Sequence, residues 1–235
     1  MSIAENIAHV CSRIDAAARR AARNPADITL MAVSKTVPSE RIREAHAAGI
    51  RVFGENRVQE FAGKVDTLRD LFEIEWHLIG HLQSNKGAKA AELFGAVDSL
   101  DSARVAEKLN AAASATGKTL PVLIEINVGA EDAKSGVPPD SKELEEILAS
   151  ARRWQNLSIR GLMTVPPYTE DPEGARPYFR HLREIREEIA ARSLPHVSMD
   201  TLSMGMSHDF EVAIEEGSTC VRVGTAIFGE RKVPE

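Results

Sequence analysis

Eight short apolar, strand-like runs alternate along this chain with longer segments of helical spacing. The runs fall at 28–34, 51–54, 75–80, 96–100, 121–128, 157–163, 197–203 and 219–223. Helix periodicity marks 38–48, 58–72, 84–93, 102–116, 141–154, 175–193 and 207–216, with a further helix over 4–23 that stops near Asn24-Pro25. Several of these segments open on Ser or Asp and several close on Gly, as helix capping requires. Strands separated by whole helices pair in parallel, because each connection is long enough to cross over and return. Eight strands alternating with helices in 235 residues predict an α/β fold in one domain over 1–235, a (β/α)8 TIM barrel. A doubly wound open sheet is the alternative, since a strand count does not fix strand order. No Gly-x-Gly-x-x-Gly turn follows the first strand, so the dinucleotide-binding form of that alternative has no support. No linker, low-complexity tract or internal repeat divides the chain.

Chemistry in such a barrel gathers at the carboxyl ends of the strands, and the unusual polar residues fall there. Lys35 follows the first run, Glu55-Asn56 the second and His81 the third. Asn127 stands near the end of the fifth, Thr164 after the sixth, Ser203 to Ser207 after the seventh, and Arg222 to Thr225 at the eighth. Lys35 ends the apolar run Leu30-Met31-Ala32-Val33-Ser34 just before Pro38. An ammonium there either snorkels into water or, with its pKa lowered by burial, serves as an amine for Schiff-base chemistry with an aldehyde. Ser207, after Met204-Gly205-Met206, and Gly224-Thr225 stand where barrels bind phosphate, in the loops after strands seven and eight. Each also reads as a cap or turn residue. Arg222 is a permanent cation within Cys220-Val221-Arg222-Val223, and alternation alone does not say which face it takes. His77 and His81 span a strand end and a turn rather than a helix, which disfavours a metal site and suits hydrogen bonding near the mouth.

Charge and composition narrow the function classes. A net charge of -6 without a dense basic run argues against nucleic acid. Cys11 and Cys220 are too far apart in sequence to suggest a framework and read as small, reduced residues. The first residues lack a secretory pattern and no run approaches the length of a membrane span, so a cytoplasmic protein with no membrane partner is expected.

Five motifs in order then carry a resemblance. They are Val33-Ser34-Lys35-Thr36, Phe53-Gly54-Glu55-Asn56, Trp76-His77-Leu78-Ile79-Gly80-His81-Leu82-Gln83, Leu202-Ser203-Met204-Gly205-Met206-Ser207, and Gly217 to Gly229 with its Val221-Arg222-Val223-Gly224-Thr225 centre. Together they resemble the pyridoxal phosphate homeostasis proteins, a pyridoxal 5′-phosphate (PLP)-binding, alanine-racemase-like family, over 28–231. The resemblance implies a barrel of the fold-type III PLP class without the C-terminal β-domain, and a covalent Schiff base between PLP and Lys35. It implies that Ser207, Gly224 and Thr225 hold the phosphate, that Arg222 lies near the pyridine nitrogen, and that Asn56, His77 and Met204 surround the ring. Arg57 departs from the family pattern, in which tyrosine is common, and would alter the solvent-side contacts if it faced the site.

The same resemblance implies a non-enzymatic role: a monomer that buffers PLP or delivers it to PLP-dependent apoenzymes. A racemase needs a second base opposite the lysine, and neither Tyr168 nor Tyr178 lies in a segment like the racemase tyrosine motif. Two alternatives remain, a weak amino-acid racemase using a residue such as Tyr168, and an aldolase-like enzyme using Lys35 on a phosphorylated substrate.

Overall fold

The computed structural model describes residues 1–131 and 135–230; Arg231, the last residue of the resemblance, lies outside the described residues. Eight strands, β1 (Thr29–Val33), β2 (Val52–Glu55), β3 (Glu75–Leu78), β4 (Ala96–Leu100), β5 (Leu120–Glu125), β6 (Leu157–Met163), β7 (Val197–Met206) and β8 (Cys220–Val223), pair in chain order. Every pairing is parallel, and β8 closes on β1 with Thr29 beside Cys220 and Met31 beside Arg222. Closure excludes the open doubly wound sheet.

The helices are α1 (Ile3–Arg20), α2 (Ser39–Ala47), α3 (Val58–Lys64), α4 (Gly87–Leu93), α5 (Ala103–Ala115), α6 (Lys142–Ser150), α7 (Arg176–Ala191), α8 (Phe210–Glu215) and α9 (Thr225–Phe228). α5 shows how sequence makes such an element. Ser102 Oγ accepts the Val105 N–H at 3.3 Å, the helix buries Val105, Ala106, Leu109 and Ala113 along one face, and Gly117 follows its end at φ +65°. A serine cap, an apolar stripe at helical spacing and a left-handed glycine together fix start, face and stop.

α1 opens on a capping box, with Ser2 Oγ accepting from Glu5 N–H and the Glu5 carboxylate accepting from Ser2 N–H. Its buried face of Ile3, Ile7, Val10, Ile14, Ala17 and Ala18 joins Phe210, Ile214, Ile227 and Phe228 in one apolar cluster. α1 therefore packs outside the barrel wall against α8 and α9. No helix of the described residues is long and apolar enough to cross a membrane.

Among the expected boundaries that shift, two matter for the site. β7 runs to Met206, beyond the expected end at 203, and α8 begins at Phe210 rather than at Ser207. The cause is local: Asp209 Oδ1 accepts the Met206 N–H at 2.6 Å, which binds the turn back on itself. Ser207 is thereby released from capping α8, and its hydroxyl goes elsewhere.

Candidate functional site

A cavity of about 1000 Å³ opens at the carboxyl mouth between the ends of β1, β2, β7 and β8. Among the expected residues, Lys35, Asn56, Ser207, Arg222, Gly224 and Thr225 all line it. Val33 and Lys35 both line it as well, as residues two apart at the end of a strand should when they share a face.

The loops after β7 and β8 meet through one atom. Ser207 Oγ accepts the N–H groups of Gly224 and Ala226, each at 3.3 Å. A serine hydroxyl and the first amides of α9 thus converge at one edge of the cavity, an arrangement that suits a phosphate. Arg41, from α2, adds a cation there by donating to the Phe228 carbonyl at 2.5 Å. Sequence reasoning passed over Arg41. A positive charge in the first turn of a helix runs against the macrodipole, and that was the available signal.

Arg222 points inward. It is 3% exposed, donates to Ser203 Oγ at 2.8 Å and to the Thr164 carbonyl at 2.6 Å, and forms no ion pair among the described residues. Burial pushes the guanidinium below its ordinary range, while Cys220, Asp98, Glu125 and Asp209 pull it back up. Asn56 keeps a buried Oδ1 with no hydrogen-bond partner. Its backbone is held by a close approach to Gly80, where a Cβ would stand 2.4 Å from the Asn56 carbonyl oxygen. A buried unpartnered acceptor beside a cavity is the signature of a site built for a donor that a ligand brings.

Two residues expected around the ring, Met204 and His77, do not line this cavity. Met204 is fully buried in the apolar cluster between barrel and helices, with Leu202, Val212 and Ala213, and Met206 lines the cavity instead. The cause is an irregularity in the β7–β8 register between Ser203 and Met206, where Gly205 adopts φ +95°. His77 is not at the mouth. It lines a separate cavity of about 500 Å³ at the barrel floor, with Asp27, Glu75, Asp98 and Cys220. Its Nδ1 lies 3.0 Å from Asp98 and its Nε2 3.4 Å from Glu75. Burial opposes the imidazolium, but Asp98 and Glu75 outweigh it and raise His77 to about 10. His77 sits within β3, whose carboxyl end comes after Leu78, so a motif centred on it straddles both ends of the barrel. His81 does reach the mouth side, where its Nδ1 pairs with Asp101 at 2.8 Å. Arg57 is exposed and outside the residues lining the mouth cavity.

Glu125, which ends β5, is 7% exposed with Oε2 unpartnered. Burial and then the Asp101 carboxylate raise it to about 7, against the pull of Arg222 and His81. The folded chain therefore keeps a proton that the unfolded chain loses between the ordinary 4.5 and about 7. Stability from the neutral carboxyl is complete below that window and falls as pH rises through it, by on the order of 3 kcal/mol. In Glu125→Gln that fall disappears, so urea denaturation from pH 4.5 to 8 should show a flatter profile than the wild-type chain. Parallel profiles would show that Glu125 titrates alike in the folded and unfolded chains.

Comparison with known proteins places this geometry. The family model described as alanine racemase, N-terminal domain, matches residues 6–232. A pyridoxal phosphate homeostasis protein of Aquifex aeolicus is 47% identical over 235 residues, covering 99% of this chain and 100% of the relative. That of Escherichia coli is 45% identical, with 97% of each chain covered. The structure of PipY from Synechococcus elongatus, solved with PLP bound, superposes with a TM-score of 0.84 at 37% identity, covering 97% of this chain and all of PipY. An alanine racemase of Clostridium difficile shares the fold at a TM-score of 0.73 and 14% identity, and the match covers 58% of that racemase.

Proposed function

We propose a function for the mouth cavity from the fact that this chain belongs to the pyridoxal phosphate homeostasis protein family, with its barrel of the alanine racemase N-terminal type. The chain binds PLP through Lys35 and takes part in PLP homeostasis by holding the cofactor for buffering or delivery. The observation that carries this reading is the meeting of Lys35, the Ser207–Gly224–Ala226 turn and inward Arg222 around one cavity.

The residues fit the group. Its aldehyde and its phosphate-bearing arm leave neighbouring ring carbons, so amine and phosphate site must stand on neighbouring strands. β1 and β8 are such neighbours. Ser207, Gly224 and Thr225 would hold the phosphate with Arg41 as counter-charge, and the unpartnered Asn56 Oδ1 would accept from the cofactor. When bound, PLP supplies an aldehyde that condenses with a primary amine, forming one C=N bond and releasing one water. Lys35 provides that amine. Arg222 presents only donors to a pyridine nitrogen, which leaves the nitrogen unprotonated and weakens the ring as an electron sink. Such a site favours holding over turnover. The racemase reading needs a second base, and Tyr168 is 78% exposed, its ring 5.6 Å from that of His208 and outside the residues lining the cavity.

Borohydride reduction of the PLP-loaded protein, followed by peptide mapping, is expected to place the adduct on Lys35. An adduct scattered over surface lysines would overturn the covalent reading. Alanine in deuterated buffer is expected to exchange its α-proton no faster than with free PLP. Exchange at enzymatic rates that depends on Lys35 would replace the carrier with a racemase.

A further inference from the structure

The backbone on both sides of Lys35 is tied to one half-buried ammonium, that of Lys64. Before Lys35, Ser34 is fully buried; its Oγ donates to Glu55 Oε1 at 2.5 Å and its carbonyl accepts from Lys64 Nζ at 2.9 Å. After Lys35, Thr36 sits at φ +61°, a region that β-branched residues seldom occupy. Its N–H donates to Glu60 Oε1 at 2.5 Å and its Oγ1 donates to the Lys35 carbonyl at 2.6 Å. Both carboxylates face the same cation: Lys64 Nζ is 2.7 Å from Glu55 Oε1 and 3.8 Å from Glu60 Oε1. Glu60 and Lys64 lie one turn apart on α3, so a single helix grips both flanks of the lysine.

A left-handed, non-glycine residue next to a reactive side chain persists only where its surroundings over-determine it. Here the surroundings are named. We propose that Lys64, acting with Glu60, is a positioning residue: it fixes Ser34 and Thr36 and so sets the direction in which the Lys35 amine enters the cavity. This rests on the reading that Lys35 holds PLP, and it adds what holds Lys35. Without the clamp Thr36 relaxes to negative φ, the peptide between Lys35 and Thr36 turns, and the amine leaves its line toward the cofactor carbonyl.

The test uses Lys64→Met, Glu60→Ala and Glu60→Gln in the full chain, with two readouts. The first is hydrogen–deuterium exchange at the Thr36 amide in protein free of PLP; the second is the dissociation constant for added PLP. Lys64→Met and Glu60→Ala are expected to speed exchange and weaken PLP binding by about tenfold each. Glu60→Gln keeps an acceptor oxygen for the Thr36 N–H and is expected to restore both toward wild type. If Lys64→Met does not fold, the partly exposed Glu60 pair decides alone. Lower thermal stability with unchanged exchange and unchanged PLP binding would reduce Lys64 to a structural ion pair and overturn the proposal. Faster exchange with undiminished PLP binding would overturn it too. A wild-type chain with no Lys35-dependent PLP adduct would instead overturn the covalent reading, and the exchange rates would still judge the clamp.

Discussion

Lys35→Ala is expected to abolish the visible absorption that PLP acquires on joining a lysine, and to release the cofactor on gel filtration. Among the described residues, the substitution removes the one amine that lines the mouth cavity, and with it the group that forms the C=N bond. What remains is the polar cradle of Ser207, Gly224, Thr225 and Arg41, with Arg222 below it. Loss of one strong, charge-bearing contact weakens binding by about a hundredfold, or about 2.7 kcal/mol. The fold should barely register the change, because Lys35 is half-buried at a strand end and lies outside the apolar clusters. An unfolding free energy within about 1 kcal/mol of wild type is expected in the absence of PLP. Retention of the band in Lys35→Ala would show that another lysine carries the cofactor. Loss of the band together with collapse of the fold would make the lysine structural.

The second large effect is expected from Gly205→Val. Gly205 sits at φ +95°, and a Cβ there would meet the Ala213 Cβ at 2.6 Å and the Phe210 Cα at 2.9 Å. A valine therefore incurs both backbone strain and a clash with the start of α8, together at least about 3 kcal/mol. The consequence reaches the site, because the turn at Gly205 sends Met204 into the helix-facing core while Met206 and Ser207 enter the cavity. Denaturant titration should show the loss of stability, and PLP affinity should fall further than stability alone accounts for, since Ser207 moves off the Gly224 and Ala226 amides. Gly63→Ala is the matched control: Gly63 lies within α3 with no atom within 4 Å of its would-be Cβ. There an alanine should stabilise the chain by about 0.5 to 1 kcal/mol. A Gly205 variant as stable as wild type would show that the left-handed turn is dispensable.

The residues that were legible in the sequence share one property: each sits where strand meets loop. Lys35, Asn56, Ser207, Gly224 and Thr225 follow the ends of β1, β2, β7 and β8, and barrel closure carries all such ends to one mouth. His77 and Met204 belong to strand interiors instead, and a motif read as one unit does not reveal which of its residues the strand turns away. Arg41 was missed for the complementary reason, since it reaches the cavity from a helix whose sequence shows only a charged first turn.

By itself the sequence determined the alternation of eight strands with helices, and with it a parallel sheet, because apolar period and capping residues are local properties of the chain; the pairing of β8 with β1 then decided that the sheet closes into a barrel. It also determined which residues stand at strand ends, and the family motifs they carry. Only the tertiary structure decided which way Arg222 faces. Strand alternation has two phases, and Val221 and Val223 take the one that packs with α1, α8 and α9, which leaves Arg222 facing inward. Only the tertiary structure decided that Met206 and not Met204 meets the cavity, because the irregular turn at Gly205 breaks the period-two count. And only there does Lys64 come beneath Lys35, since a parallel crossover brings together residues that no local pattern links.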